Sequence, residues 1–208
     1  MTNQDAIRAA GGIPPLVALL RTGAESMAAQ KAAGALANLA SNTTNKDAIR
    51  TAGGIPPLVD LLTAGARAEG PFEAGQHAAA VLANLASNPI NKDAIRQAGG
   101  IAALVALLRP QPGPGHTAAQ QVAGALANLA ANNSANQDAV REAGGIAPLI
   151  SLLEQPSNAI DAPRGSTQDA AQQAAGTLWN LAANNVANQD AIREVRARRA
   201  CPCPRACT

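Results

Sequence analysis

The chain has almost no aromatic residues: its 208 residues include no Tyr, one Phe and one Trp. Apolar residues nevertheless make up 47% of the sequence, so any core must be built from Ala, Leu, Ile and Val. That composition suits closely packed helices better than a β-sandwich. The lack of rings also argues against stacking of nucleic-acid bases.

Net charge is small, since 16 basic residues face 14 acidic ones. Four Arg lie in the last fourteen residues, which contain no acid, and the rest of the chain carries 12 basic and 14 acidic residues. A body this close to neutral has no broad basic field for phosphates. Nucleic acid is therefore not an expected partner.

Membrane and export signals are also missing. The longest purely aliphatic run, Ile101 to Leu108, is too short to span a bilayer. The N-terminus, MTNQDAIRAA, lacks the charged start and apolar stretch of a secretory signal. All three Cys lie near the C-terminus, which fits a reducing compartment. We expect a cytoplasmic protein, with the nucleus as an additional location, that does not insert into membranes.

Catalytic and metal-binding patterns are scarce as well. The chain has two His, and neither has a cluster of Cys or acidic residues around it at the spacing of metal ligands. A recurring Ala-Gly-Gly-Ile segment is not preceded by a strand, as a phosphate-binding loop would be. The sequence thus predicts no enzyme activity, no metal, no cofactor and no small-molecule substrate.

What the chain does contain is an internal repeat. NQDAIRAAGGIPPLVALL starts at Asn3, and closely similar segments start at Asn45, Asn91 and Asn136, while a fifth copy at Asn188 stops after NQDAIRE. In the four long copies the aligned Asp lies 15 residues before the second Leu of a closing Leu-Leu pair. Each unit ends in a second recurring segment, such as AAGALANLASN. Fixed length of this kind indicates packed units.

The repeat predicts the domain organisation directly. We divide the chain into four units, residues 3–44, 45–90, 91–135 and 136–187, followed by a partial fifth unit at 188–194. Most of the length variation falls between the Leu-Leu pair and the second segment, near residues 63–75, 109–116 and 154–168, which predicts flexible connections there. Residues 195–208 are expected to form a disordered basic tail rich in Cys and Pro.

Each unit is predicted to contain three helices. The first would be capped by Asn45, carry Asp47 in its first turn and stop at Gly53-Gly54. The second would place Pro56 and Pro57 in its first turn, where a missing amide does no harm. The third is longer and Ala-rich, with Leu residues turned inward.

A short helix, a double-Gly corner, a Pro-started helix and a longer helix ending in A-L-x-N-L-A closely resemble the armadillo repeat of β-catenin, the importin-α receptors and plant U-box ligases. The resemblance covers residues 3 to about 194. It implies an all-α, right-handed superhelix with three helices per repeat, in which third helices line a concave groove that binds protein or peptide. HEAT repeats are the nearest alternative, but their two-helix units do not explain the Gly-Gly corner.

By this resemblance, the Asn of A-L-x-N-L-A points into the groove. We call these four residues the Asn row: Asn38, Asn84, Asn128 and Asn180. Helical geometry agrees, because Asn38 lies opposite Leu36 and away from Leu39. A carboxamide can pair with both the C=O and the N–H of an extended backbone. The alternative is that these side chains only bond the backbone of neighbouring repeats.

Residues beside the Asn row should decide which partner binds. Seven positions before each Asn stands a residue of what we call the flanking row: Lys31, His77, Gln121 and Gln173. Import receptors carry Trp four positions before the Asn, where this chain has Gly34, Ala80, Gly124 and Gly176. The missing Trp and the absence of acids weaken a reading of basic import signals. The predicted cargo is an extended segment that is nearly uncharged or modestly polar.

Three further features leave alternatives open. Trp179, next to Asn180, is either an anchor at the groove edge or a packing residue against a neighbouring repeat. A second Asn row, Asn42, Asn88, Asn132 and Asn184, is best explained by C-terminal capping. Cys201, Cys203 and Cys207 allow a weak zinc site or a targeting tail, but a fragment or a change of reading frame after Glu194 is favoured.

These observations predict a protein-interaction scaffold that holds an extended partner segment along the Asn row. An importin-α-like adaptor for basic signals is one alternative. The substrate-recruiting part of a ubiquitin ligase is another, and a purely structural spacer is a third.

Overall fold

A computed structural model describes residues 2–67, 73–108, 116–154 and 166–200. Phe72 and the three Cys lie outside these ranges, as do parts of the predicted flexible connections. The described residues form thirteen α-helices and no strand. The helices are α1 Asn3–Ala9, α2 Ile13–Leu20, α3 Met27–Leu39, α4 Thr43–Thr51, α5 Ile55–Gly65, α6 Glu73–Leu85, α7 Pro89–Gln97, α8 Gly100–Leu107, α9 His116–Ala130, α10 Ser134–Glu142, α11 Ile146–Leu153, α12 Ser166–Ala182 and α13 Val186–Ala200.

The helices follow one order four times. A short first helix (α1, α4, α7, α10) leads to a second helix (α2, α5, α8, α11) and a longer third helix (α3, α6, α9, α12), and α13 repeats the position of a first helix. Third helices pack on one another in chain order, α3 on α6, α6 on α9 and α9 on α12. The predicted all-α solenoid with three helices per repeat is confirmed.

The double-Gly corner joins the first helix to the second as predicted. Gly53 has φ +72°, a left-handed backbone that glycine adopts without strain. Gly54 is required for a different reason: a Cβ there would lie 2.9 Å from both the Cγ2 and the carbonyl oxygen of Ile49. Pro56 and Pro57 then occupy the first turn of α5, also as predicted. The corner therefore brings the two helices together closely enough to share a core.

The core runs continuously between units. Leu36 and Leu39 of α3 are buried, and Leu82 and Leu85 of α6 are fully buried. These four residues belong to the same cluster as Ile49 and Ile95 of the first helices. Because the cluster spans several units, each unit depends on its neighbours to cover its apolar side chains.

Helix α4 begins three residues earlier than predicted. The N-cap of α4 is Asn42, whose side chain accepts hydrogen bonds from the backbone of Thr44 and Asn45. The prediction that Asn45 is the cap was wrong: it is the third helical residue, fully buried, and its Nδ2 donates to Leu39 O at 3.1 Å. Asp47 consequently lies beyond the first turn.

The first helices α4, α7 and α10 each lie near the ends of two third helices. While Asn45 bonds the end of α3, its counterparts Asn91, Asn136 and Asn188 donate in the same way to Leu85, Leu129 and Leu181. The next residue along reaches the third helix of its own unit: Lys92 Nζ donates to Ala131 O at 2.5 Å. Desolvation by burial lowers the pKa of Lys92. The first helix thus links successive third helices and fixes their spacing.

The predicted tail from residue 195 is partly wrong, because α13 continues as a helix to Ala200. No Gly-Gly pair follows Glu194, so nothing stops the helix there. Arg198 forms a salt bridge with Glu194 at 2.6 Å. Arg199 donates to Ser151 Oγ at 2.6 Å and also pairs with Glu154, which holds the extension against α11. Residues 201–208 lie outside the described part of the chain.

Replacing Gly54 with Ala tests the close approach at the corner. The added Cβ would overlap Ile49, and we expect a loss of about 1–3 kcal/mol in the free energy of unfolding. Gly176→Ala is the matched control, since a Cβ there meets no atom of the described residues within 4 Å. The control should gain up to about 1 kcal/mol from the removal of a helical glycine. Urea denaturation followed by circular dichroism measures both; equal effects would contradict the packing argument.

Candidate functional site

The Asn row lies along the stacked third helices. Each of its members lies one residue before a buried Leu near the C-terminal end of its helix. Asn38 and Asn128 are exposed, while Asn84 and Asn180 are half-buried. The fold therefore arranges four carboxamides in sequence on one continuous surface.

The Asn row also joins the repeats. Asn84 Nδ2 donates to Ala37 O at 3.3 Å, and Asn128 Nδ2 donates to Ala83 O at 2.9 Å. Asn180 Nδ2 donates to Ala127 O at 3.0 Å. The alternative role, bonding to the neighbouring backbone, is thus present. Each of these three carboxamides still has a second N–H and its oxygen, because a primary amide offers two donors and an acceptor.

The flanking row runs beside the Asn row, about two turns earlier on each third helix. Nε2 of His77 is 3.6 Å from the position a Cβ on Gly34 would take, and Oε1 of Gln173 is 3.3 Å from the corresponding position on Gly124. A flanking side chain therefore lies over the glycine of the preceding repeat, four positions before its Asn. Lys31 and Gln121 are exposed, and His77 and Gln173 are half-buried. The floor of this surface is polar and carries few charges.

The floor is different at the fourth repeat. A Cβ on Gly176 would meet no atom within 4 Å among the described residues. Trp179, one turn further along α12, is 79% exposed among the described residues. Its equivalents Ala37, Ala83 and Ala127 are half-buried. An open glycine floor and an exposed indole thus lie next to Asn180.

The second Asn row divides into two kinds, which corrects the prediction of C-terminal caps at all four positions. Asn42 and Asn88 are N-caps of α4 and α7. Asn132 and Asn184 have φ of 54° and 56°, the left-handed conformation expected after a helix. In those two repeats the cap role passes to the next residue, Asn133 or Asn185, because the segment is one residue longer.

Sequence reasoning missed a second ladder between repeats, formed by these caps. Their side-chain amides donate to the recurring Asp of the preceding repeat at 3.1 to 3.2 Å. The pairs are Asn42 with Asp5, Asn88 with Asp47, Asn133 with Asp93 and Asn185 with Asp138. The recurring Asp of the Asn-x-Asp segments was a usable signal. Its role could not be assigned without knowing that the cap is the Asn three residues before each later segment.

The recurring Arg belongs to the same ladder. Arg141 bridges to Asp138 at 3.2 Å, and its Nε donates to the buried Asn188 Oδ1 at 2.9 Å. In the earlier repeats the matching atoms are buried and lack another partner: Nε of Arg8, Arg50 and Arg96, and Oδ1 of Asn45, Asn91 and Asn136. Each of these Nε atoms has its counterpart in one of these Oδ1 atoms, as Arg141 has in Asn188. The correspondence indicates that the Arg and the buried Asn face each other at every junction.

Hydrogen bonding shifts the titration of two of these Asp residues. Hydrogen bonds from Asn185 and from Arg141 hold the pKa of Asp138 below its ordinary value of 3.8. In the first repeat, hydrogen bonds from Thr2 lower the pKa of Asp5. The carboxylate form is therefore the one that joins the repeats.

No group of three or more His, Cys, Asp or Glu residues in the described part of the chain is placed to hold a metal ion. None of the helices described combines the length and apolar character that a bilayer crossing requires.

Comparison with known proteins gives a family model and several solved structures. The model of the Armadillo/beta-catenin-like repeat matches residues 2–41 and 88–131. Curated proteins give no match. An engineered protein of solved structure is 34% identical with a TM-score of 0.77, and the alignment covers 94% of this chain and 72% of the other.

Two designed proteins are also similar to the chain. A designed armadillo repeat protein in complex with the peptide (KR)4 is 28% identical, has a TM-score of 0.77, and is aligned over 95% of this chain and 75% of its own. A structure of computationally designed armadillo repeat proteins for modular peptide recognition is 28% identical, has a TM-score of 0.78, and is aligned over 95% and 76%.

Replacing Asn185 with Ala tests the Asp ladder. The pKa of Asp138 should rise toward 3.8, and loss of the cap should cost about 1 kcal/mol of stability at neutral pH. A lowered folded-state pKa stabilises the fold above pH 3.8, and this contribution is lost as pH falls through the folded-state pKa. The difference between wild type and variant should therefore narrow in acid.

NMR titration of the Asp138 carboxyl and urea denaturation between pH 2.5 and 7 provide the two measurements. Gln189→Ala is the control, because Gln189 Nε2 donates to a backbone carbonyl, Ala182 O, and not to a carboxylate. Its effect on stability should not change with pH. An unshifted Asp138 in Asn185→Ala would argue against the ladder.

Proposed function

Because the chain belongs to the armadillo repeat family, we propose that it is a protein-interaction scaffold that holds an extended segment of a partner along the Asn row. The observation that carries the proposal is the row itself. Three of its carboxamides are oriented by a hydrogen bond to the preceding repeat and keep an oxygen and an N–H for a ligand. Such pre-orientation reduces the entropy lost on binding.

The spacing of the row fits an extended chain. Stacked helices lie roughly 8 to 10 Å apart, and an extended peptide advances about 3.3 Å per residue. One Asn would thus meet every second or third residue, and the four together would span about ten. Pairing with backbone groups makes affinity independent of ligand sequence, so that selectivity falls to the flanking row.

The flanking row favours a partner segment with little charge. Its four members are one Lys, one His and two Gln, and none is acidic. The designed relative that binds (KR)4 raises the alternative of a basic ligand. A basic peptide would need carboxylates beside the Asn row, and the flanking positions supply none. We propose binding rather than catalysis, in the cytoplasm and with access to the nucleus.

Replacing Asn84 and Asn128 together with Ala tests the proposal. Peptides of ten residues are first selected from a randomised library on the wild-type protein, and affinities are then measured by calorimetry. Net loss of the carboxamide bonds, about 1 kcal/mol each, should reduce the affinity by about 30-fold. A (KR)4 peptide in the same assay should bind more weakly than the selected peptides.

Both Asn also bond the preceding repeat, so a control for weakened packing is needed. Asn88→Ala removes an inter-repeat amide bond to Asp47 and a helix cap but leaves the Asn row intact. Thermal melts should show a comparable loss of stability in the control without a loss of affinity. Unchanged affinity of the double variant, with its fold intact, would reject the groove.

A further inference from the structure

We propose that Lys31 of α3 and His77 of α6 form a subsite for one acidic side chain of the bound segment. This inference rests on the proposed function, because it assigns a charge to one position of the ligand along the Asn row. It begins from an inequality in the flanking row, which carries Lys and His in the first two repeats and Gln in the last two. The row therefore has basic groups at one end only.

The packing of α3 against α6 brings the two basic residues together. Three ring atoms of His77, Nε2, Cδ2 and Cε1, lie 3.6 to 3.7 Å from the position a Cβ on Gly34 would take. Lys31 precedes Gly34 by three residues, so it projects from a neighbouring position on the same face of α3. Its flexible four-carbon stem lets the ammonium and the imidazole contact one ligand carboxylate.

Both basic groups are available to a ligand. Lys31 is exposed, His77 is half-buried, and neither forms a salt bridge with another described residue. Exposure at this position does not depend on a missing neighbour, because Gln121, which has a third helix on either side, is exposed as well. A ligand carboxylate would therefore form charge-assisted hydrogen bonds with groups that pair with no described carboxylate.

The way from the Asn row to these two residues is open. Four positions before Asn38 and Asn84 stand Gly34 and Ala80, so the intervening turn of each helix carries at most a methyl group there. The flanking row lies seven residues before the Asn row, about 10 Å along the helix. The side chain of a ligand Glu and that of Lys31 can bridge this distance between them.

An acid on α6 limits how much negative charge the subsite accepts. Glu73 precedes His77 by one turn, and its carboxylate accepts a hydrogen bond from Gln30 of α3. Glu73 lies four residues farther from the Asn row than His77. We therefore expect a single acidic residue, not an acidic run, in a segment that otherwise carries little charge.

Capped ten-residue peptides of Ser, Thr, Gly and Gln test the subsite. One has Glu near its N-terminus, one has Glu near its C-terminus, one has Gln at both positions, and two carry Lys in place of Glu. One Glu peptide should bind about fivefold more tightly than the Gln peptide, because the basic residues lie at one end of the row. Calorimetry measures the affinities, and the gain should shrink as salt is added.

Replacing Lys31 and His77 together with Gln makes the flanking row uniform, with the residue that the last two repeats already carry. The favoured Glu peptide should then fall to the affinity of the Gln peptide. Lys31→Glu alone, at an exposed position, should favour the Lys peptide of that placement. Arg21→Gln is the matched control, because it removes a cation beside Gly53 at the corner before α5, and it should preserve the Glu preference. Circular dichroism checks that each variant is folded.

Three outcomes would overturn the subsite: equal affinity for Glu and Gln peptides, an equal gain for Glu at either end, and a gain that survives the double Gln variant. If the Gln peptide binds, and Asn84→Ala with Asn128→Ala weakens it while Glu gains nothing, the Asn-row proposal stands and the subsite falls. If the Glu gain depends on Lys31 and His77 but the double Asn variant changes nothing, the subsite stands and the Asn-row proposal falls.

Discussion

Every unit of this chain leaves an apolar face that only another unit can cover, and the fold depends on that contact. Leu82 and Leu126 are fully buried in one cluster that runs through several repeats. Apolar burial alone is not directional, so it does not fix how far one repeat slides along the next. Hydrogen bonds at each junction supply the missing register.

Amide side chains provide most of that register. Near the ends of α6, α9 and α12, an Asn bonds the backbone of the preceding repeat, and the cap residues of α4, α7, α10 and α13 each bond an Asp of the preceding repeat. Buried carboxamides with the wrong offset would lose their partners, and an unsatisfied buried polar group costs about 1–3 kcal/mol. The proposed groove uses the same inter-repeat hydrogen bonds, which place its ligand-facing carboxamides at a fixed spacing.

Much of the fold could be predicted from the sequence because local rules and the repeat agree. Gly53 and Pro56 fulfil the roles that their backbone chemistry dictates. The errors arose where two Asn residues compete for one role. Asn42 and Asn45 are both good caps, and only tertiary burial decides that Asn45 turns inward. The helix beyond Glu194 was missed because Arg199 is stabilised by contacts with α11, which sequence alone does not display.

The candidate site was predictable in position but not in detail. Helical periodicity put the Asn row on the right face, yet it could not show that one amide hydrogen is already used between repeats. Nor could it show that His77 lies over Gly34, since that contact joins helices 43 residues apart in sequence. The exposure of Trp179 likewise depends on what surrounds α12 rather than on its own sequence.

The one-residue difference between repeats has a consequence for how such an array changes length. From the Asn-row residue to the next buried Asn is seven residues in the first two units and eight in the last two. The extra residue is Asn132 or Asn184, which has a left-handed backbone conformation. Since the same Asn-to-backbone and Asn-to-Asp hydrogen bonds recur between successive repeats, removing or adding a whole unit at equivalent positions would bring matching donors and acceptors together at the new junction. Recombination between repeats would therefore form the same kinds of hydrogen bond again. A unit with the extra residue, Asn132 or Asn184, would keep the left-handed turn that this residue forms.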